Sequence, residues 1–166
     1  MVKKILQYKN PKLRKISKEV KKIDPKIMDI IQDMVDSMRE SGGVGISAPQ
    51  IGVLKRISIY EYIKPKGSSD PTPDIPLTIL INPKVTKNSR KKEKAEEGCL
   101  SFPTMYGHIS RSAEITVEAL GINNKMIEFD AKGLEARIIQ HEIDHLDGVL
   151  FIDRLHKNDR IYTYQY

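Results

Sequence analysis

The sequence predicts an α+β fold, a single domain in which antiparallel sheets pack around a central metal-binding helix. Three observations carry that reading. Short stretches rich in β-branched and aromatic residues come in runs, without the strand–helix alternation that builds a parallel sheet. Only the segments 24–41 and 131–147 sustain a helical period. The second of these is apolar on more than one side, as a central helix must be, and it contains His141-Glu142-Ile143-Asp144-His145. Histidines four apart on a helix share a face. Their ring nitrogens can therefore converge on one divalent ion, with the glutamate beside it.

The elements follow in order. Residues 1–23 form a basic arm with one helical turn opened by Asn10-Pro11, and Leu6, Leu13, Ile16 and Val20 are its candidate anchors. Asp24 suits the N-cap of the first long helix and Pro25 its first turn. Ile27, Ile30, Ile31, Met34, Val35 and Met38 draw one apolar stripe along that helix, so both methionines read as core. Ser41-Gly42-Gly43 ends it. The glycine-rich stretch 43–52 is a turn leading into a strand. It lacks the Lys-Ser/Thr of a phosphate loop. Residues 56–63 read as a strand and 65–76, with four prolines, as an exposed loop. A second strand over 77–81 is expected to stop at Asn82-Pro83. Segment 85–95 reads as a surface strand and turn, and 96–103 as an acidic turn. Residues 114–120 and 126–129 form a hairpin, 149–152 is expected as a short strand, and 161–166 has β-like composition.

Composition narrows the function classes. The 166 residues fit one domain with a real core. No apolar run approaches the roughly 18 residues of a membrane span, so no membrane partner is expected. The N-terminus shows no export signal, which makes the cytoplasm, or an organelle interior after removal of a transit peptide, the expected compartment. Cys99 is the one cysteine, so a disulfide within the chain is impossible. A net charge of +6 fits transient contact with an anionic assembly such as the ribosome. The basic residues are dispersed and few aromatics lie among them, so specific nucleic-acid recognition is not expected. The sequence leaves the oligomeric state open.

A catalytic metal site needs three protein ligands and an open position. His141 and His145 supply two. Cys99, following a glycine in an acidic segment, is the third candidate. A cation held there acidifies water, and Glu142 is placed to take its proton and hand it to a leaving amine, a combination that fits amide hydrolysis.

Three stretches together resemble the peptide deformylases, whose motifs are G-x-G-φ-[AS]-A-P-Q, E-G-C-φ-S and Q-H-E-φ-D-H, with φ apolar. Here they read Gly43-Val44-Gly45-Ile46-Ser47-Ala48-Pro49-Gln50, Glu97-Gly98-Cys99-Leu100-Ser101 and Gln140-His141-Glu142-Ile143-Asp144-His145, in the family's order. The likeness covers residues 3–155. It implies removal of the formyl group from N-formylmethionine of newly made polypeptides, which are then the partners. By the same resemblance Cys99, His141 and His145 hold the metal, most often iron(II), with zinc, nickel or cobalt as alternatives. Glu142 is then the general acid/base, and Gln50 and the backbone N–H of Leu100 hold the formyl oxygen. Val44, Gly45, Leu134 and Ile138 bind the substrate. Glu97, Arg111, Gln140 and Asp144 read as structural support, and Tyr106 and His108 as surface loop residues outside the site. Ser47 stands where alanine is commoner. Tyr106 falls near a position where some relatives carry arginine. The sequence stops soon after Leu155, whereas many bacterial relatives continue into a helix that helps dock on the ribosome. A zinc endopeptidase is the rival for the histidine motif, but the first motif and Cys99 speak against it. A deformylase-like binding module without chemistry is the other rival, and the retained Glu142 and ligand set speak against that.

Overall fold

In the computed structural model, which describes residues 1–164, helix α1 spans Pro25–Glu40. The Asp24 carboxylate accepts the Ile27 N–H at 3.0 Å, and Pro25 fills a first-turn position where no N–H is needed. The stripe read from the sequence is the face that packs. Ile27, Ile31, Met34, Val35 and Met38 are buried in one cluster with Ile46, Ile57, Ile59 and Ile81.

The strands are β1 (Gly45–Ser47), β2 (Ile57–Tyr62), β3 (Ile75–Asn88), β4 (Lys92–Cys99), β5 (Phe102–Ser112), β6 (Glu114–Leu120), β7 (Met126–Lys132) and β8 (Tyr162–Thr163). They form a five-stranded sheet in the order β1-β2-β3-β6-β7 and a three-stranded sheet in the order β4-β5-β8. Every strand pairing within these sheets is antiparallel. Helix α2 (Gly133–Leu146) packs against strands of both sheets. Ala136, Ile138 and Ile139 join Tyr60, Leu80, Ile115 and Val117 on the larger sheet. On another side, the His141 ring lies 6.2 Å from that of Phe151. The expected α+β class, antiparallel sheets around the histidine-bearing helix, is the architecture observed.

Several local expectations are corrected. The second strand does not stop at Asn82-Pro83: β3 runs through to Asn88. Asn82 adopts a positive φ of 52°, and the register with β6 shifts between Ile81 and Lys84. Its side-chain amide accepts from Val20 N at 2.8 Å and donates to Val20 O at 2.9 Å, so the arm is tied to β3 at this bulge. Segment 96–103 is not a free turn. Glu96 to Cys99 are the end of β4, and only residues 100–101 turn before β5 begins. Tyr106 and His108 therefore lie on a strand. The expected strand at 149–152 is instead a 3-10 turn over Phe151–Arg154, because Asp153 caps it by accepting the Leu150 N–H at 2.8 Å. In the arm, Leu13 and Val20 are buried and Leu6 packs against the core, but Ile16 is 73% exposed. The β-like tail pairs as β8 with Met105 and Tyr106. Gln165 and Tyr166, also read as β-like, lie outside the described residues.

Gly148 shows how the arm is held on α2. Its φ is +72°, and a Cβ there would come within 2.5 Å of the Arg14 carbonyl oxygen. The close approach lets Ser17 N–H donate to Leu146 O at 2.8 Å.

Candidate metal centre and active site

Helix α2 supplies His141 and His145 from one face, with ring centroids 5.0 Å apart. The β4–β5 ladder shifts register between Gly98 and Cys99, at the end of β4. Cys99 Sγ lies 3.2 Å from His145 Nε2. One ligand atom from each of Cys99, His141 and His145 falls within 4.8 Å of the other two. A thiol and two imidazoles converging in this way match the donors that zinc and other borderline divalent ions take, so the residues fit a metal ion.

Around these donors lies a buried charge network. Glu97 accepts from His141 Nδ1 at 2.9 Å, from Arg111 Nε at 2.7 Å and from Arg137 Nη1 at 2.7 Å. Arg111 also reaches Asp144 at 2.7 Å, and Asp144 takes Arg154 at 2.7 Å. Burial pushes the Glu97 carboxyl up, but the hydrogen bonds from His141 and Arg111 outweigh it and hold the group well below the usual carboxylate range. Glu97 thereby fixes the His141 ring from outside, the arrangement a ligand histidine needs. Gln140 exchanges hydrogen bonds with the Ser112 backbone, accepting at 3.1 Å and donating at 3.0 Å. Glu97, Arg111, Gln140 and Asp144, expected as structural support, are all engaged in hydrogen bonds around these donors.

Glu142 is buried beside Cys99, His141 and His145, and burial is the main cause of a carboxyl pKa raised above the ordinary value. Ser47 Oγ lies 2.7 Å from its Oε2. Sequence reading took Ser47 only as a tolerated motif variant, and no spacing signal points to this contact. Gln50 belongs to the 3-10 turn Ala48–Ile51 that follows β1. Its Oε1 accepts the Ser47 N–H at 2.8 Å, which turns Nε2 toward Ser101 Oγ at 3.2 Å and Cys99 Sγ at 3.6 Å.

A cavity of about 670 Å³ opens over this group. Gln50, Cys99, Leu100, His141 and Glu142 line it, and so do Val44, Gly45, Leu134 and Ile138. His145 is 1% exposed and sits behind them. All ten residues singled out from the sequence thus meet at one place. Tyr106 also lines the cavity, contrary to its reading as a loop residue outside the site, whereas His108 packs near Tyr162, 5.6 Å between centroids. The signal for Tyr106 was Gly98, its partner across β4–β5: a Cβ on Gly98 would come within 2.8 Å of the Tyr106 ring.

Comparison with known proteins agrees with this geometry. The family described as polypeptide deformylase matches residues 2–161. The chain belongs to the peptide deformylase family. A peptide deformylase of Desulforudis audaxviator (strain MP104C) is 44% identical over 150 residues, 90% of this chain and 91% of that one. Among solved peptide deformylase structures, that of Thermotoga maritima superposes with a TM-score of 0.83 at 35% identity, covering 94% of this chain and 99% of that one. A Met-Ala-Ser-bound class I type b enzyme of Acinetobacter baumannii gives a TM-score of 0.87 at 31% identity, covering 93% and 99%. Peptide deformylases are metal-dependent hydrolases that remove the formyl group of N-formylmethionine, and this chain carries that function.

Proposed function

We propose that the whole chain, residues 1–166, is one catalytic domain in which the ten residues at the cavity divide the deformylation reaction among them. The single observation that carries the assignment is the convergence of Cys99, His141 and His145 beside a buried Glu142 at the floor of an open cavity. Cys99, His141 and His145 would hold one divalent ion, which membership of the peptide deformylase family makes iron(II) first, with zinc, nickel or cobalt able to take its place on the same donors. When bound, the ion supplies a nucleophile near neutral pH by acidifying water.

The remaining steps belong to the side chains. A peptide that begins with formylmethionine lies along β1, where Gly45 leaves room for its backbone. Val44, Leu134 and Ile138 enclose the methionine side chain. Gln50 Nε2 and the Leu100 N–H donate to the formyl oxygen as negative charge grows on it, a stabilisation of about 3 kcal/mol per donor. Glu142 takes the proton of the attacking water and returns it to the amine nitrogen as the C–N bond breaks, leaving formate and a free amino terminus. The buried environment that raises its pKa suits a group that must both accept and give a proton.

No helix among the described residues is long and apolar enough to cross a membrane. Cytoplasmic residence and transient ribosome contact are proposed on the lone free thiol and the net charge of +6. Two variants test the roles. Glu142→Gln keeps a full complement of metal and loses turnover by about 10²-fold or more, and Cys99→Ser loses the metal itself. Full metal occupancy in Cys99→Ser contradicts the ligand assignment.

A further inference from the structure

The two oxygens of the Glu142 carboxylate stand in unlike surroundings. Oε1 lies over Gly45, where an added Cβ would come within 2.5 Å of it. Gly45 and Glu142 both line the cavity, and Oε1 is the oxygen on the Gly45 side. Oε2 is the one that meets Ser47 Oγ at 2.7 Å. The same hydroxyl lies 2.9 Å from the backbone oxygen of Glu142. Ser47 is wholly buried, and its backbone is fixed twice. It is paired opposite Ser58 in the β1–β2 ladder, and its N–H donates to Gln50 Oε1 at 2.8 Å.

We propose that Ser47 is a positioning residue for the general acid/base: its hydroxyl holds Oε2 as a standing acceptor, so that the catalytic proton travels on Oε1 alone. The torsion about the Cγ–Cδ bond of a glutamate is broad, so an unanchored carboxylate turns freely and exchanges its two oxygens. A hydrogen bond to an ionised acceptor in a dry site opposes that turning more strongly than a neutral one does. The bond also survives the reaction. A proton leaves water for Oε1 as the water oxygen bonds to the formyl carbon. Oε2 is then the carbonyl oxygen of a carboxylic acid and still accepts from Ser47. The proton passes from Oε1 to the amine nitrogen as the C–N bond breaks, and the Ser47 proton is never consumed. Alanine at this position keeps the backbone bond to Gln50 and removes the hydroxyl from both Oε2 and the Glu142 backbone oxygen.

The inference rests on Glu142 as the proton carrier, and the experiment separates the two. Ser47→Ala is assayed on a formyl-Met peptide together with its bound metal and its thermal midpoint. We expect kcat to fall about 10-fold, the effect of one lost hydrogen bond to a charged group. KM stays within about 2-fold, as for an interaction that matters in the transition state only. Metal content and thermal midpoint stay at their wild-type values. In a Glu142→Asp background, where the carboxylate is one methylene too short to meet the hydroxyl, Ser47→Ala changes kcat by less than about 2-fold. Wild-type kcat in Ser47→Ala, equal losses in both backgrounds, or a loss of bound metal overturns the inference. An inactive Glu142→Gln beside an unimpaired Ser47→Ala sinks this inference alone, whereas turnover by Glu142→Gln sinks the assignment beneath it as well.

Discussion

Gln50 illustrates how much one side chain depends on its neighbours. Its amide has a carbonyl and an amino end, and only the amino end can stabilise an oxyanion. The Ser47 N–H, 2.8 Å from Oε1, decides which end faces the site. Gln50→Ala removes that donor while leaving the metal ligands in place, so kcat on a formyl-Met peptide should fall by about 10² to 10³-fold, with metal content unchanged in the same preparation. The residues that meet at the cavity were legible in the sequence because metal and acid/base chemistry demands particular residue types at fixed spacing: two histidines one helical turn apart, a glutamate between them, a thiol after a glycine. What was not legible is orientation. Nothing in the first motif says that the Ser47 hydroxyl reaches 95 residues along the chain to the Glu142 carboxylate, because that contact depends on how β1 lies against α2.

At the scale of elements, the helices were easy to read and the strand ends were not. Helix α1 has its own N-cap, its own first-turn proline and a stripe whose period needs no partner. Strand β3 was cut short because Asn82-Pro83 carries a strong local stop signal, and a contact from the arm overrides it. Tyr106 was misplaced for a similar reason. Its strand alternates irregularly, and its burial comes from pairing with β4 and β8 rather than from its own sequence. The joint between β4, β5 and α2 also depends on partners. Arg111 bridges Glu97 of β4 and Asp144 of α2, both buried. Arg111→Ala leaves two buried carboxylates each short of a cation, although Arg137 and Arg154 still reach them. Urea unfolding of the metal-free protein should show a loss of about 3 kcal/mol, the lower end for breaking a buried pair. A loss near zero would mean that the remaining arginines suffice.

For the molecule as a whole, the layered design explains where the site must be. A helix buried between two sheets can carry polar side chains only where they are mutually satisfied or where a cavity opens. Along α2 the buried polar residues His141, Glu142, Asp144 and His145 cluster at the end that meets β1 and the turn after β4. The central position of this helix was legible from its apolar content, while the split of the strands into sheets of five and three was not, since pairing order is a tertiary property. The central claim is that this arrangement hydrolyses the formyl amide at a peptide's N-terminus and nothing further along it. The most direct measurement is formate release from a formyl-Met peptide by protein purified without oxygen and fully loaded with nickel. The account predicts one formate for each amino terminus freed, with every internal peptide bond intact. Folded, fully metal-loaded protein that releases no formate, or that cuts the peptide internally, would contradict it.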